Sequence, residues 1–406
     1  MNKLIIKIIL LTKTPNKYIY IYIYIFMKHI IIVAEEYWFD RNYPRESLKG
    51  AEYLIKTLEN NNKKYKYNIL DHPNKFKKTI DEIKPENIKA IFLFHDIITD
   101  SYLNNMTIEE INNYLFDLQN KNNIYIYPGI KKTEYFGSKK YYYDLVNDDK
   151  YKYIILPKSK VVKIKNYQGF KSEGFIMKQL WKNTQELFSI FDKVVIKKGY
   201  SYSGHQVITV TKEKIQSFNK FKKKLKRLNY KYHWNQTIIN SALMEKNVDR
   251  YYILQGFNEI VRKNEFRVFF YNGKAIYIHV NPMRSDNFCI DDVEVKENIN
   301  NNLVVEILRF SKEVYKDIIP LFWKEEKNPI LFRIDISYAT DKEFQDSFSI
   351  NVKGFDNKIR LYVNEAEIDP TNFFFNELIC KKDKNITNKY VQELFGSLIN
   401  NYINDL

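Results

Sequence analysis

Three carboxylates in the last third of the chain have the spacing of a cation site. Asp335 stands in the β-branched run Arg333-Ile334-Asp335-Ile336, while Glu367 and Asp369 fall in Val363-Asn364-Glu365-Ala366-Glu367-Ile368-Asp369-Pro370. Positions two apart on a pleated strand share a face, so Glu367 and Asp369 project together, and Asp335 joins them if the two strands are neighbours. An oxygen-only set suits a hard divalent cation, magnesium or manganese. The competing reading is an acidic strand whose charges face solvent. Glu365 shares the parity of Glu367 and reads as a supporting acid or alternative ligand, with a solvated carboxylate at the strand start as the simpler account.

Upstream, residues 193–210 read as a strand, a small polar loop and a second strand. Glycines at 199 and 204 let loop amides approach phosphate oxygens, Ser201 and Ser203 add donors, and Lys197 supplies a point charge from the strand before them. An ordinary hairpin turn is the alternative, and the Walker A pattern is absent. Residues 253–261 and 264–284 follow as further strands, with Asn272-Gly273 marking a type I′ hairpin turn.

Taken in order, the strand lysine, Gly/Ser loop, hinge, E-x-R-V strand, R-x-D strand and E-I-D-P strand resemble the ATP-grasp superfamily, whose relatives include D-alanine:D-alanine ligase, glutathione synthetase and glutamate-adding ligases. The resemblance covers roughly residues 131–406 and, weakly, the region before them. It implies that Lys197 rather than Lys198 holds ATP phosphates, and that Gly199, Ser201, Ser203 and Gly204 form the loop closing over them. Gln255, Gly256, Phe257 and Asn258 become the hinge that binds adenine through main-chain groups. Glu265 becomes the ribose ligand, Arg267 a contact to phosphate or acidic substrate, and Arg284 the cation that steadies the transferring phosphoryl group. Asp335, Glu367 and Asp369 become magnesium ligands, the last departing from the asparagine usual in the family and adding a negative charge. A lysine before the I-x-x-P stretch contacts nucleotide in the family, a part open to Lys139 or Lys140.

The implied function is an ATP- and magnesium-dependent ligase joining a small carboxylate to an amine through an acyl phosphate. Two alternatives stand beside it: a kinase on the same fold phosphorylating an acidic small molecule such as an inositol phosphate, and an inactive nucleotide-binding module. A homodimer is an admissible assembly.

The elements that must position these residues read as an α/β protein, with α+β character in the catalytic part. The expected order is a low-complexity extension (1–26), a parallel α/β domain in front (27–130), a linker and central region (131–192), a lid (193–258) and a metal-binding subdomain (259–406). In the front domain, strands at 30–34, 89–94 and 123–127 alternate with helices near 44–61 and 107–120. His95-Asp96 lies at a strand's carboxyl end, where such sheets bind ligands, although a structural histidine is the simpler reading. A lysine-rich helix is expected over 212–227, with Ile215, Phe218, Phe221 and Leu225 as its apolar stripe.

Composition excludes more than it assigns. The +16 formal charge sits in a chain rich in Lys, Asn, Ile, Tyr and Phe throughout, with no nucleic-acid-binding motif, so no nucleic-acid partner is expected. Cys289 and Cys380 are too few for a disulfide framework, which points to a reducing, cytoplasmic setting. Lys28 and His29 break the apolar run from Tyr18 before it reaches the ~20 residues of a membrane span, and Met27 reads as the working start. Against this lysine background the retained arginines stand out: Arg267, Arg284 and Arg333 lie in motifs, whereas Arg262 and Arg360 read as surface salt bridges.

Overall fold

The computed structural model describes residues 4–9, 20–25, 27–33, 52–70, 75–94, 108–164, 170–199, 207–226, 250–262, 264–281, 288–289, 302–324, 328–368 and 384–406. His95, Asp96 and Cys380 lie outside them.

Strands β1 (Leu4–Ile9) and β2 (Tyr20–Ile25) pair antiparallel as a separate ribbon. Four strands then make a parallel sheet in the order β4-β3-β5-β6: β3 (Lys28–Val33), β4 (Tyr65–Leu70), β5 (Ile88–Leu93) and β6 (Tyr125–Tyr127). Between them run α1 (Glu52–Asn61), α2 (Phe76–Ile83) and α3 (Ile108–Lys121). Ile30 to Val33 are all buried, as expected of a central parallel strand whose two faces are both covered by helices. β4 and α2 were not foreseen. The run Tyr65-Lys66-Tyr67-Asn68 looks like the composition of the whole chain, and only the burial of Phe76 and Ile80 makes α2 amphipathic.

The next layer is an antiparallel sheet ordered β7-β10-β8-β9. It follows α4 (Ile130–Gly137) and α5 (Lys140–Asn147), and comprises β7 (Lys160–Ile164), β8 (Lys193–Lys198), β9 (Val207–Thr211) and β10 (Arg250–Gly256). Helices α6 (Phe170–Phe188) and α7 (Phe218–Lys226) cover one face, where Leu180, Val194, Ile196, Phe221 and Leu225 form the core. The helix expected over 212–227 is shorter. Lys212 N–H is drawn to Asp192 O at 2.8 Å, the chain turns, and Ile215 is buried ahead of the helix rather than on it.

The last sheet, β13-β12-β11-β14-β15, is antiparallel. It contains β11 (Glu265–Tyr271), β12 (Lys274–Asn281), β13 (Phe288–Cys289), β14 (Leu331–Ala339) and β15 (Arg360–Glu367), backed by α8 (Asn302–Phe322). The β11–β12 turn has φ of 47° at Asn272 and 81° at Gly273, the doubly left-handed geometry expected of Asn-Gly. The closing helix α9 (Lys384–Asn404) returns to the front domain, where Gln392 Oε1 accepts from the Tyr53 and Leu54 amides at the start of α1.

Arg360 is not the surface ion pair that its isolation in the sequence suggests. It is 1% exposed. Its guanidinium donates to the carbonyls of Lys152, Tyr153 and Ile155 at 2.8, 2.8 and 3.0 Å and to Asp346 at 3.0 Å. One cation thus pins the segment entering β7 to the strand that carries the carboxylates. Among the described residues, no helix is long and apolar enough to cross a membrane.

Candidate nucleotide and cation site

The site is assembled where β11, β14 and β15 lie side by side beneath the end of β8. Register places Arg267 opposite Asp335, Asp335 opposite Glu365, and Arg333 opposite Glu367. The two carboxylate-bearing strands are therefore neighbours. Arg333 Nε and Nη2 donate to Asp335 Oδ1 and Oδ2 at 2.7 and 2.9 Å, and Nη2 also lies 3.0 Å from Glu367 Oε1. One guanidinium spans both acids. Arg267 Nε stands 3.7 Å from Asp335 and donates to Glu265 Oε2 at 3.4 Å.

Two lysines reach the same cluster from elsewhere. Lys197 donates through Nζ to Asn364 Oδ1 at 2.5 Å, and Asn364 Nδ2 donates on to Glu265 Oε1. Lys139, buried and in a left-handed backbone conformation (φ 60°), pairs with Glu365. Glu365 is therefore an ion-paired member of the cluster, not the solvated strand-start acid that its position suggests. Lys139, not Lys140, is the lysine of that pair that enters the site.

Burial sets the electrostatics. Desolvation pushes the Lys197 ammonium down to about 8, with Lys139 adding repulsion and Glu365, Glu265 and Asp335 opposing. Burial, reinforced by Asp335, raises the Glu265 carboxyl against the pull of Arg267. Burial also raises Glu367, with Glu365 and Asp335 adding to it and Arg333 opposing. Glu365 is held low in spite of burial by Lys139 and Arg333.

No protein-family model matches the sequence, and no curated protein matches it. Solved structures do match the fold. D-cycloserine synthetase DcsG superposes with a TM-score of 0.52 at 9% identity, covering 92% of this chain and 99% of its own. A D-alanine–D-alanine ligase from Bacillus anthracis complexed with ATP matches at 12% identity and a TM-score of 0.43, over 92% of this chain and 97% of its own. A RimK domain ATP-grasp protein from Sphaerobacter thermophilus matches at 8% and 0.45, over 91% and 98%. The chain has the ATP-grasp fold.

Within this ATP-grasp architecture the expected site residues divide into groups. Lys197, Glu265, Arg267, Asp335 and Glu367 converge as described. Ser201, Ser203, Gly204, Arg284 and Asp369 lie outside the described residues. Among the described residues, no group of three His, Cys, Asp or Glu is arranged to hold a metal. The hinge side chains serve the fold: Gln255 donates to Ser159 Oγ at 3.1 Å, and Asn258 donates to Tyr338 O at 2.6 Å and Tyr362 Oη at 3.0 Å. The Phe257 amide donates to Lys193 O at 2.9 Å. Gly256 is required for space, since a Cβ there would stand 2.8 Å from the Phe191 and Phe344 rings.

Gly199 has its own steric reason. A Cβ would lie 2.2 Å from Ser138 O, a backbone atom that cannot swing aside. Gly199→Ala is therefore expected to displace either the end of β8 or the turn carrying Lys139. It should lower stability by about 1–3 kcal/mol, on the scale of overpacking a tight site. Urea unfolding measures this, and an unchanged midpoint would show that the approach is looser than described.

Arg333 was noticed in the sequence but given no role. The usable signal was its place two residues before Asp335, which puts both on one strand face. Its remaining Nη1 is buried with no hydrogen-bond partner among the described residues. Asn364 gave no signal, because asparagine is common throughout the chain.

Proposed function

We propose that the chain is an ATP- and magnesium-dependent ligase that joins a small-molecule carboxylate to an amine through an acyl phosphate. The observation that carries this reading is the convergence of Lys197 from the lid with Glu265, Arg267, Asp335 and Glu367 from three neighbouring strands of an ATP-grasp fold. In this reading Lys197 and the loop with Gly199, Ser201, Ser203 and Gly204 hold the phosphates, the backbone of 255–258 holds adenine, and Glu265 takes the ribose. Asp335 and Glu367, with Asp369, would hold magnesium. The donor set is all oxygen, the kind that suits magnesium, and Arg333 holds Asp335 and Glu367 side by side. When bound, the metal neutralises phosphate charge as it develops.

Substrate carboxylate oxygen attacks the γ-phosphorus, and ADP leaves. The amine nitrogen then attacks the acyl carbon, inorganic phosphate leaves, and the amine loses a proton. Arg284 and Arg267 supply fixed cations to the oxygens that gain charge. The reading places the enzyme in the cytoplasm with no nucleic-acid or membrane partner.

The test is ADP release across a panel of amino acids and phosphorylated metabolites, with and without magnesium. ADP and phosphate that appear only when carboxylate and amine are both present support the ligase. A phosphorylated acceptor accumulating without amine would make the enzyme a kinase, and absence of ATP binding would remove the reading.

A pH dependence follows from Lys197. Phosphate binds the protonated ammonium, whose pKa in the unliganded protein is pushed down to about 8. ATP affinity should be flat below that value and fall as pH rises through it, since each bound nucleotide must then take up a proton. Calorimetry with a non-hydrolysable ATP analogue between about pH 7 and pH 9.5 measures this. Lys197→Arg, which stays charged over that range, should remove the decline. A decline retained in Lys197→Arg would assign the titration to another group.

A further inference from the structure

β15 carries an extra residue where it passes the carboxylates. Asp335 pairs with Glu365 and Ile336 with Val363, so Asn364 has no partner on β14. A bulge of this kind re-aims a side chain. Here the backbone around it is fixed from behind by α5. The Tyr142 hydroxyl donates to Asn364 O at 2.5 Å and Val363 O at 3.0 Å, and the Ala366 amide donates to the Tyr141 hydroxyl at 3.1 Å. The carboxamide is thereby left to link lid to sheet, accepting from Lys197 at 2.5 Å and donating to Glu265. These are the groups assigned above to the phosphates and the ribose of ATP, so the amide spans the place between them.

We propose that Asn364 is a placeholder for the nucleotide: a positioning residue that holds Lys197 and Glu265 in place before ATP binds and releases both to it. The proposal rests on the ATP-binding reading of the site. Neutrality is what suits an amide to the part. A carboxylate at this position would pair with Lys197 by a charge-assisted bond, repel Glu265 and repel the incoming phosphates. An apolar side chain would leave a desolvated ammonium and a buried carboxyl short of a partner. The amide satisfies both yet competes weakly, so a triphosphate outbids it. The charged groups around Lys197 are Glu365, Glu265 and Asp335 against Lys139, and none of them makes the contact that Asn364 makes.

The experiment is binding of a non-hydrolysable ATP analogue to the full-length protein and to Asn364→Ala and Asn364→Asp, by calorimetry. Tyr141 and Tyr142 hold the main chain in both variants, so β15 should keep its place. Asn364→Ala removes the carboxamide, leaves Lys197 the main-chain carbonyl of residue 364 at 3.3 Å, and is expected to bind about ten-fold more tightly, the scale of one hydrogen bond to a charged group. Hydrogen exchange of β8 should be faster in this variant than in the wild type without nucleotide, and equal to it with nucleotide. Asn364→Asp is expected to bind at least about ten-fold more weakly near pH 7, and the fall in affinity above about pH 8 should disappear because Lys197 is now paired with an anion. Weaker binding by Asn364→Ala would make Asn364 a nucleotide ligand and overturn the proposal, as would both variants behaving like the wild type. If the wild type itself failed to bind ATP, the ATP reading would fall and the placeholder with it, an outcome distinct from either.

Discussion

Glu367→Gln is expected to reduce magnesium-dependent ATP turnover by about 10³-fold while leaving the fold nearly untouched. The change removes the charge of a proposed magnesium ligand and almost no volume. The side chain is 22% exposed and shares Arg333 with Asp335. The sister change Asp335→Asn should lose as much activity but also stability. Asp335 is 1% exposed and both its oxygens are engaged by Arg333, itself 3% exposed, so the substitution leaves a buried guanidinium with Glu367 as its remaining carboxylate partner. Breaking a buried pair from one side costs about 3–5 kcal/mol. Steady-state ADP release across magnesium concentrations, together with urea unfolding, separates the two effects. A Glu367→Gln enzyme with unchanged rate and unchanged metal dependence would take the carboxylates out of the mechanism.

The parts of this molecule that were legible in the sequence are those fixed by local periodicity. β3 and β5 read as strands because each is a near-continuous apolar run, as sheet-interior strands must be, and β14 because apolar residues alternate with Arg333, Asp335 and Ser337. The Asn272-Gly273 turn was legible because few dipeptides tolerate two successive left-handed residues. Parity on β8 puts Lys197 and Lys198 on opposite faces, the family resemblance and not parity singles out Lys197, and parity on β15 groups Glu365 with Glu367. What parity cannot carry is contact made over long sequence separation. The pairing of Lys139 with Glu365 crosses 226 positions, and nothing near either residue announces it. Arg360 had the same difficulty, since most of its partners are main-chain carbonyls more than 200 positions away and carbonyls leave no trace in a sequence. The bulge that frees Asn364 is a property of paired strands, invisible in either strand alone.

Lys197→Met is expected to weaken ATP affinity and turnover together by about 10²-fold, whereas Lys198→Met should change either by less than about two-fold. A charge-assisted hydrogen bond to phosphate contributes roughly 1.5–3 kcal/mol, and each 1.4 kcal/mol is ten-fold. The two side chains leave β8 on opposite faces. Lys197 points to Asn364 and the carboxylates, while Lys198 lies buried on the side of Val194 and Ile196. Stability should move in the other direction for Lys197. Folding strips water from its ammonium, which is why its pKa is pushed down, and the partner that receives it is neutral. Methionine keeps much of the stem and removes the desolvated charge, so the unfolding midpoint should stay level or rise. A variant that binds ATP poorly yet resists urea as well as the wild type marks a residue retained for its ligand rather than for the fold. Should Lys198→Met instead prove the damaging change, the lid would present its other face to the nucleotide, and the site built around Lys197, Asn364 and Glu265 would have to be abandoned.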